Sequence, residues 1–465
     1  MQQKVWKQAI PAAVVLRLDR KRLHYLLKER RAGNAFTHRA QVLFPGAEMK
    51  ARERSREKMM KDVLAVVLAG GKGERLHPLT IHRAKPAVPF GGKYRIIDFT
   101  LSNCINSDIR KIAVITQYKS LSLDRHLALG WENLLNPQLG EYIFTIPPQQ
   151  RIDDRWYEGT ADAVFQNIYV IEKENSPYIL ILSGDHIYKM DYAEMFDFHL
   201  QKNAMGTVAT IRVKRSMASE FGIVQVDTDS RIIGFEEKPS DPKTIPGDPD
   251  HCYASMGLYI FNTGDIINEL KTDSGKSSAH DFGKNILPEM LKTNKLFAHE
   301  FKDENRKDAK YWRDVGTIDA YWEANMDLVA VDPQFNLYDD SWPMRTYQGQ
   351  YPPAKFVFSQ EYKGGRLGVA LDSVVCGGCI ISGGRVQGSV LSPNVRVNSY
   401  VEVRDSILLE NVEIGRHCRI RRAIIDKDVY IPSGTTIGYD PEEDRKRFSV
   451  SPGGVVVIPK GAEVR

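Results

Sequence analysis

The sequence predicts a Rossmann-like α/β domain on a mostly parallel sheet, followed by a parallel β-helix. Three observations carry this. Apolar, strand-sized runs alternate with helical patterns over residues 61–262, as parallel strands joined by crossover helices require. The first of these runs leads directly into a glycine-rich turn. From about residue 371 onward, short β-branched pulses recur every six residues, the texture of a hexapeptide repeat whose coils must stack to bury their apolar rows.

The first strand is read at Val63-Leu64-Ala65-Val66-Val67-Leu68, an unbroken apolar run suited to a strand covered on both faces. Ile112-Ala113-Val114-Ile115 and Tyr178-Ile179-Leu180-Ile181-Leu182 repeat the pattern. After Thr160, read as an N-cap, Val164, Ile168 and Ile171 mark one helix face. The α/β domain is bounded at 59–335, a proline-marked linker with Pro343 and Pro352-Pro353 at 336–370, and the β-helix at 371–465. In the last segment Val395, Val401 and Ile407 share the six-residue period, as do Ile414 and Ile420, and Ile431 and Ile437.

Residues 1–58 carry 15 Lys and Arg against five Asp and Glu, and the remaining 49 and 54 leave the rest of the chain mildly acidic. The net charge of +5 is therefore a property of this basic extension and not of a polyanion-binding face. No duplex-binding motif accompanies it, so no nucleic-acid partner is expected. Leu16, Leu23, Leu26 and Leu27 fall at helical spacing within it, but it has no apolar core and no small-residue cleavage site. A poorly ordered tail ahead of Met59-Met60 and an Arg-rich transit segment are the two readings. With 42% apolar and 26% charged residues and no membrane-length apolar run, the expectation is a cytoplasmic enzyme with no membrane partner. Five Cys in 465 residues exclude a disulfide scaffold. The pair Cys376-Gly-Gly-Cys379 lacks a second pair or a nearby His and reads as thiols in a turn.

The turn Gly70-Gly71-Lys72-Gly73-Glu74-Arg75-Leu76 can bring backbone N–H groups close to phosphates. It is not a G-x-x-x-x-G-K-[ST] loop, since no Ser or Thr follows Lys72, nor a dinucleotide fingerprint, since Leu76 replaces its last glycine. Asp185 follows an apolar strand by two residues, at the sheet edge where α/β proteins bind ligands. Taken alone, Asp185 serves equally as a cap, Asp314 reads as a surface acid and Lys238 as a solvated lysine before a proline.

The longer strings narrow the reading. Gly-Gly-x-Gly-x-Arg-Leu followed by Arg83-Ala84-Lys85-Pro86-Ala87 resembles the signature of sugar-1-phosphate nucleotidylyltransferases. Gly91-Gly92-Lys93-Tyr94-Arg95-Ile96-Ile97-Asp98-Phe99, Leu101-Ser102-Asn103-Cys104-Ile105-Asn106-Ser107 and Trp156-Tyr157-Glu158-Gly159-Thr160-Ala161-Asp162-Ala163 extend the likeness. So do Ser183-Gly184-Asp185-His186-Ile187-Tyr188, Glu236-Glu237-Lys238-Pro239 and Trp312-Arg313-Asp314-Val315-Gly316-Thr317. Together, over about residues 62–460, they are similar to the bacterial glucose-1-phosphate adenylyltransferases, or ADP-glucose pyrophosphorylases.

The resemblance implies a left-handed β-helix and a reaction of ATP with glucose 1-phosphate that yields ADP-glucose and pyrophosphate. It assigns catalysis to Arg75, Lys85, Asp185 and Asp314, the last two holding Mg²⁺, whose preference for hard oxygen ligands they meet. It assigns the nucleotide to Gly70, Gly71, Gly73, Gln117, Gly159 and Thr160, and glucose 1-phosphate to Tyr157, Gly222, Glu237, Lys238 and Ser255. It implies a homotetramer, a supply of ADP-glucose to glycogen or α-glucan synthesis, and control by sugar-phosphate and AMP-type effectors, with Arg83 and Arg95 as candidates for binding them. Effector identity is left open: His82 and Pro89 stand where some members carry Lys and His. The rival readings are a UDP-glucose, dTDP-glucose or GDP-mannose pyrophosphorylase, a non-catalytic regulatory subunit of the same fold, and a hexapeptide acyltransferase. The last leaves the α/β domain unexplained and offers only His417 within its repeats.

Overall fold

The computed structural model describes residues 56–148, 156–293, 295–307 and 310–464. The reading of the basic extension falls, save for residues 56–58, outside these. Residues 59–465 form one compact unit. No helix among the described residues is long and apolar enough to cross a membrane.

A nine-stranded sheet is the frame. Its strands, with two short two-stranded ribbons, are β1 (Leu64–Leu68), β2 (Pro89–Phe90), β3 (Tyr94–Arg95), β4 (Lys111–Ile115), β5 (Tyr142–Ile146), β6 (Tyr178–Ser183), β7 (His186–Tyr188), β8 (Gly206–Lys214), β9 (Gly222–Val226), β10 (Ile232–Glu237), β11 (His251–Asn262), β12 (Leu296–Glu300) and β13 (Trp312–Asp314). The path runs β10-β9-β11-β6-β1-β4-β5, with β8 against β11 and β12 against β8. Around β1 it is parallel, β4 on one side and β6 on the other, with β5 outside β4. At β11 it turns antiparallel, pairing β6, β8 and β9. Ala65 and Val67 of β1 point into one buried cluster and Leu64 and Val66 into the other. Coverage on both faces is why the run reads as continuously apolar instead of alternating.

Helices α1 (Ile96–Asn106), α2 (Leu121–Gly130), α3 (Thr160–Phe165), α4 (Ile168–Glu174), α5 (Tyr192–Gln201), α6 (Thr263–Ser274), α7 (Leu287–Met290), α8 (Ile318–Asp327) and α9 (Pro441–Arg447) complete the unit. The helix expected after Thr160 is divided between α3 and α4, and Gly159, not Thr160, is its N-cap. The Thr160 hydroxyl is drawn away from the helix to donate to Asp281 Oδ2 at 2.9 Å. The backbone carbonyl of His280 accepts from Ala161 and Asp162 N–H in place of the expected cap.

The β-helix is three sheets of parallel strands, to which successive coils contribute one strand each, and one of the three ends in an antiparallel strand, Ser449–Val450 against Val456–Ile458. Val386, Val403, Ile420 and Ile437 are one inward-facing ladder, and Val390, Ile407 and Ile424 are a second, whose Ile407 and Ile424 face the α/β part. All seven are fully buried, which is the physical content of the six-residue pulse. Corner residues Asn394, Asn411 and Asp428 adopt positive φ, and their side chains bond up the stack at 3.3 and 2.9 Å. The first coil begins earlier than residue 371: β14 (Lys355–Val357), inside the segment expected to be linker, lies in parallel against the strand Ile380–Ser382. Its Phe356 and Phe358 are exposed, so it lacks the buried apolar pulse that marks the later coils.

The two parts share a core. Leu76, Leu79, Val88, Phe90 and Phe99 of the α/β part pack with Ile407, Leu409, Ile424 and Val457 of the β-helix. Across this seam Arg83 Nη2 donates to both oxygens of Asp426, at 2.9 and 2.7 Å, with side-chain exposures of 5% and 1%. The thiols of Cys376 and Cys379 lie nearby, unbridged. Burial, with each other's proximity for Cys376, pushes the former up to about 12 and the latter to about 11. Cys379 Sγ donates to Ser392 O, and Cys376 Sγ packs against Gly92 so closely that a Cβ there would come within 2.6 Å.

Candidate active site

The glycine-rich turn leaves β1 at the C-terminal edge of the sheet. Gly73 has φ 64°, and a Cβ on it would meet Lys85 Cβ and Thr80 Cγ2 at 3.0 Å, so glycine is needed twice over. Gly70 packs on Gln117, where a Cβ would come within 2.9 Å of that side chain. The turn runs into a single 3₁₀ turn (Glu74–Leu76) that sets Arg75 at the rim. A second 3₁₀ turn (Lys85–Ala87) buries Lys85 beneath it.

Two carboxylates converge on that lysine. Asp185 leaves β6 on the short connection into β7, and β7 pairs antiparallel with β13 so that Asp314 stands opposite His186. Lys85 Nζ donates to Asp185 Oδ2 at 2.9 Å and to Asp314 Oδ1 at 2.6 Å. Arg75 Nη2 lies 3.6 Å from Asp314 Oδ2, and the Ser183 hydroxyl donates to Asp185 Oδ1. Burial alone would discharge Lys85, but Asp185 and Asp314 outweigh it and raise its pKa above the ordinary lysine value. Burial also works against the charge on Asp185, and His186, Lys85 and the Ser183 hydroxyl overcome it, holding the carboxyl well below the usual range. Burial, aided by the Lys85 charge, lowers the pKa of His186 and favours neutral imidazole.

Carboxylate oxygens of Asp185 and Asp314 and a ring nitrogen of His186 all lie within 4.8 Å of one another. Two oxygen donors that already share one cation at hydrogen-bonding distance fit Mg²⁺, which takes one or two carboxylates and completes its shell with water and phosphate. His186 was missed among the site residues, although the sequence places it directly after Asp185. Its Nε2 stands 3.6 Å from Asp185 Oδ1, its ring packs on Trp312 at 4.9 Å, and its Nδ1 is buried with no hydrogen-bond partner among the described residues.

Gly70, Gly71, Gly73, Arg75, Lys85, Gln117, Tyr157, Gly159, Thr160, Asp185, Gly222, Glu237, Ser255 and Asp314 all line one open cleft of about 1010 Å³. Asp281, Phe282 and Gly283 line it too, as do Tyr259 and Trp312, none of which the sequence singled out as site residues. Gln117 Nε2 donates to Tyr157 O, and the Tyr157 hydroxyl accepts from Asn167. Beside them Tyr118 and Trp156 stack at 5.9 Å, with Lys72 over the Tyr118 ring.

Three expected residues stand outside that lining. Lys238 follows Glu237 at φ 51°, its N–H donates to Phe221 O, and its side chain is exposed at the rim. Arg83 is buried in its pair with Asp426. Arg95 is half-buried, with Nη1 donating to the Ser122 hydroxyl at 2.7 Å.

One arrangement resembles a nucleophilic triad. Ser278, His280 and Asp273 are in contact, but the Ser278 hydroxyl and Asp273 both meet the same ring nitrogen, Nδ1, at 3.1 and 2.7 Å. The hydroxyl donates to Asp273 Oδ1 at 3.0 Å. A serine activated by histidine needs the other nitrogen, so this is a structural tie and not a hydrolase site.

A phosphate-approaching glycine turn, a carboxylate pair fit for a hard cation and a long cleft beyond it define a nucleotidyl transferase. A family model described as "Nucleotidyl transferase" matches residues 64–330, and one described as "GlmU-like, C-terminal hexapeptide" matches residues 352–458. A glucose-1-phosphate adenylyltransferase of Rhodopirellula baltica is 56% identical over 90% of this chain and 94% of its own. One from Koribacter versatilis is 56% identical over 86% and 95%, and glucose-1-phosphate adenylyltransferase 2 of Vibrio cholerae is 52% identical over 86% and 98%. The chain belongs to the glucose-1-phosphate adenylyltransferase family.

Proposed function

We propose that this chain transfers the adenylyl group of ATP to glucose 1-phosphate, releasing pyrophosphate and forming ADP-glucose. The observation that carries it is the convergence, in one cleft, of the glycine turn, Lys85, Asp185 and Asp314 with Tyr157, Gly222, Glu237 and Ser255. The names of the relatives support the choice of nucleotide and sugar.

A phosphate monoester has a second pKa of about 6, so at neutral pH glucose 1-phosphate is already a nucleophile and needs no general base. Its phosphate oxygen bonds to the α-phosphorus while the bond from that phosphorus to the β-bridging oxygen breaks, and the pyrophosphate carries away the electron pair. The protein's task is to align two anions and to stabilise charge spreading over the phosphoryl oxygens. Arg75 at the rim and Lys85 beneath the turn supply positive charge there, and the glycines let backbone N–H groups approach. Mg²⁺, held by Asp185 and Asp314, would screen the phosphate oxygens from one another and polarise the α-phosphoryl group.

Assayed with ATP, UTP, dTTP and GTP at saturating glucose 1-phosphate, the enzyme is expected to prefer ATP and to require Mg²⁺. Higher turnover with UTP or dTTP would overturn the adenylyl assignment. The loss of Lys238 tests the sugar end. Lys238→Ala is expected to raise the glucose 1-phosphate KM about 10- to 150-fold, the loss of a charge-assisted hydrogen bond of roughly 1.5–3 kcal/mol, with the ATP KM barely changed. An equal rise in both constants would mean that the exposed lysine serves neither substrate in particular.

The same reading takes the enzyme as a cytoplasmic homotetramer supplying α-glucan synthesis and answering to sugar-phosphate and AMP-type effectors. The exposed Phe356, Phe358 and Leu371 on the open first coil support assembly, since an uncovered strand edge with apolar side chains invites another chain. Arg95 and Lys427 lie near one another at the seam with the β-helix and support anion control; burial, and after it the charges of Arg95 and Arg83, lower the Lys427 pKa against the pull of Glu410.

A further inference from the structure

The loop of residues 275–281 joins α6 to the wall of the cleft, and it is held by a bond between two residues outside the cleft's lining. Asp273, in the last turn of α6, is 4% exposed. Its Oδ2 meets His280 Nδ1 at 2.7 Å, and its Oδ1 accepts from Ser278, whose hydroxyl oxygen accepts in turn from His280 N–H at 3.0 Å. These bonds fix His280 at φ 48°, in the left-handed region that non-glycine residues enter only when their surroundings compel it.

The strained conformation turns two groups toward the cleft. The His280 carbonyl accepts from Ala161 and Asp162 N–H at 2.8 and 3.3 Å, N–H groups of the first turn of α3 that have no partner within the helix. Gly159 lies so tightly beneath this loop that a Cβ would come within 2.2 Å of His280 O and 2.3 Å of Ala279 O. The next residue, Asp281, takes the Thr160 hydroxyl on Oδ2 and the N–H groups of Gly283 and Lys284 on Oδ1. Asp281 thereby lines the same cleft as Tyr259, Glu237 and Ser255.

We propose that His280, locked by Asp273 through its Nδ1–H, is a positioning residue for glucose 1-phosphate, acting through the loop that sets Asp281 in the lining of the cleft with Tyr259, Glu237 and Ser255. The proposal rests on the reading of the sugar site given above. It adds a residue that contacts no substrate and yet sets the shape of the subsite.

The test uses two isosteres on the full chain. An asparagine amide nitrogen can stand where Nδ1 stands, whereas glutamine reaches one methylene further, toward the place of Nε2. His280→Ala and His280→Gln are expected to raise the glucose 1-phosphate KM about tenfold, with ATP KM and kcat within about threefold of the parent. His280→Asn is expected to restore most of that loss. Asp273→Ala should match His280→Ala, and the double variant should be little worse than either single, since one bond is broken in each. Deuterium uptake over residues 159–166 is expected to quicken in the Ala and Gln variants and not in Asn, with little change in Tm.

Four results overturn the proposal. One is an Asn variant as impaired as Ala. Another is a parallel rise of both KM values with a fall in Tm, the mark of a merely structural tie. The others are unchanged uptake, and quickened uptake without a change in the glucose 1-phosphate KM. Absence of any glucose 1-phosphate reaction in the parent would sink the functional reading instead, and the uptake comparison would still decide whether His280 holds the loop.

Discussion

Asp185→Asn is expected to lower kcat about 10³-fold, roughly 4 kcal/mol of transition-state stabilisation, and to leave Tm nearly unchanged. The two halves of that expectation have different origins. The loss of rate follows from removing one of two carboxylates that share a single cation, Lys85 Nζ standing 2.9 Å from one and 2.6 Å from the other. An amide keeps the shape but not the charge that a hard divalent cation needs. The retained stability follows from charge balance. Lys85 is buried between two carboxylates with Arg75 beside Asp314, so one carboxylate can be neutralised and a complete ion pair remains. Asp314→Asn should behave alike for the same reason. The double variant is different: it leaves the Lys85 ammonium, 8% exposed, without a carboxylate partner, so its Tm should fall. Its kcat should nonetheless be little below that of either single variant, because groups acting as one unit are non-additive. Measured kcat and Tm for the three variants decide the matter. If the two losses in kcat multiply, the carboxylates work independently and do not share a cation.

The sequence made legible what is local. The run 63–68 could be read as a buried strand because both faces of β1 are covered, and the six-residue pulse as a coil because each pulse residue is buried. The apolar strand before Asp185 placed it at the sheet edge, but its role came from the family string Ser183-Gly184-Asp185-His186-Ile187-Tyr188 and not from its position. What sequence missed depends on partners far along the chain. Thr160 looked like a cap, but its hydroxyl is claimed by Asp281, 121 residues away. Arg83 looked available to an anion, but it is consumed by Asp426, 343 residues away. The first β-helix coil was read as linker because its strand carries exposed Phe356 and follows Pro352-Pro353, with no buried pulse to announce it. His186 and Asp281 sat beside or between recognised strings, and only the pairing of β7 with β13 and the loop after α6 bring them to the cleft.

Asp426→Ala is expected to destabilise the enzyme by about 3–5 kcal/mol, the penalty for stranding a buried charge, and to lower Tm by about 5–10 °C. Arg83 is the charge stranded. Its side chain is 5% exposed, and among the described residues its hydrogen-bond acceptors are the two oxygens of Asp426, both taken by Nη2. Its Nη1 is already buried without a partner among the described residues, so no spare acceptor waits to replace the lost carboxylate. The pair also crosses the seam between the sheet and the β-helix, and Arg83 lies two residues before Lys85. A shift of this segment would carry Lys85 away from Asp185 and Asp314, so kcat should fall along with Tm. A second variant separates charge from packing. Arg83→Met with Asp426→Leu removes both charges and keeps the volume, and replacing a buried pair by apolar side chains is commonly neutral or stabilising. The double variant should therefore melt well above Asp426→Ala and recover most of the activity. If Asp426→Ala melts like the parent, the seam is held by its apolar packing alone. If instead the double variant melts as low as the single one, the cost lies in lost shape at the seam and not in an unpaired guanidinium.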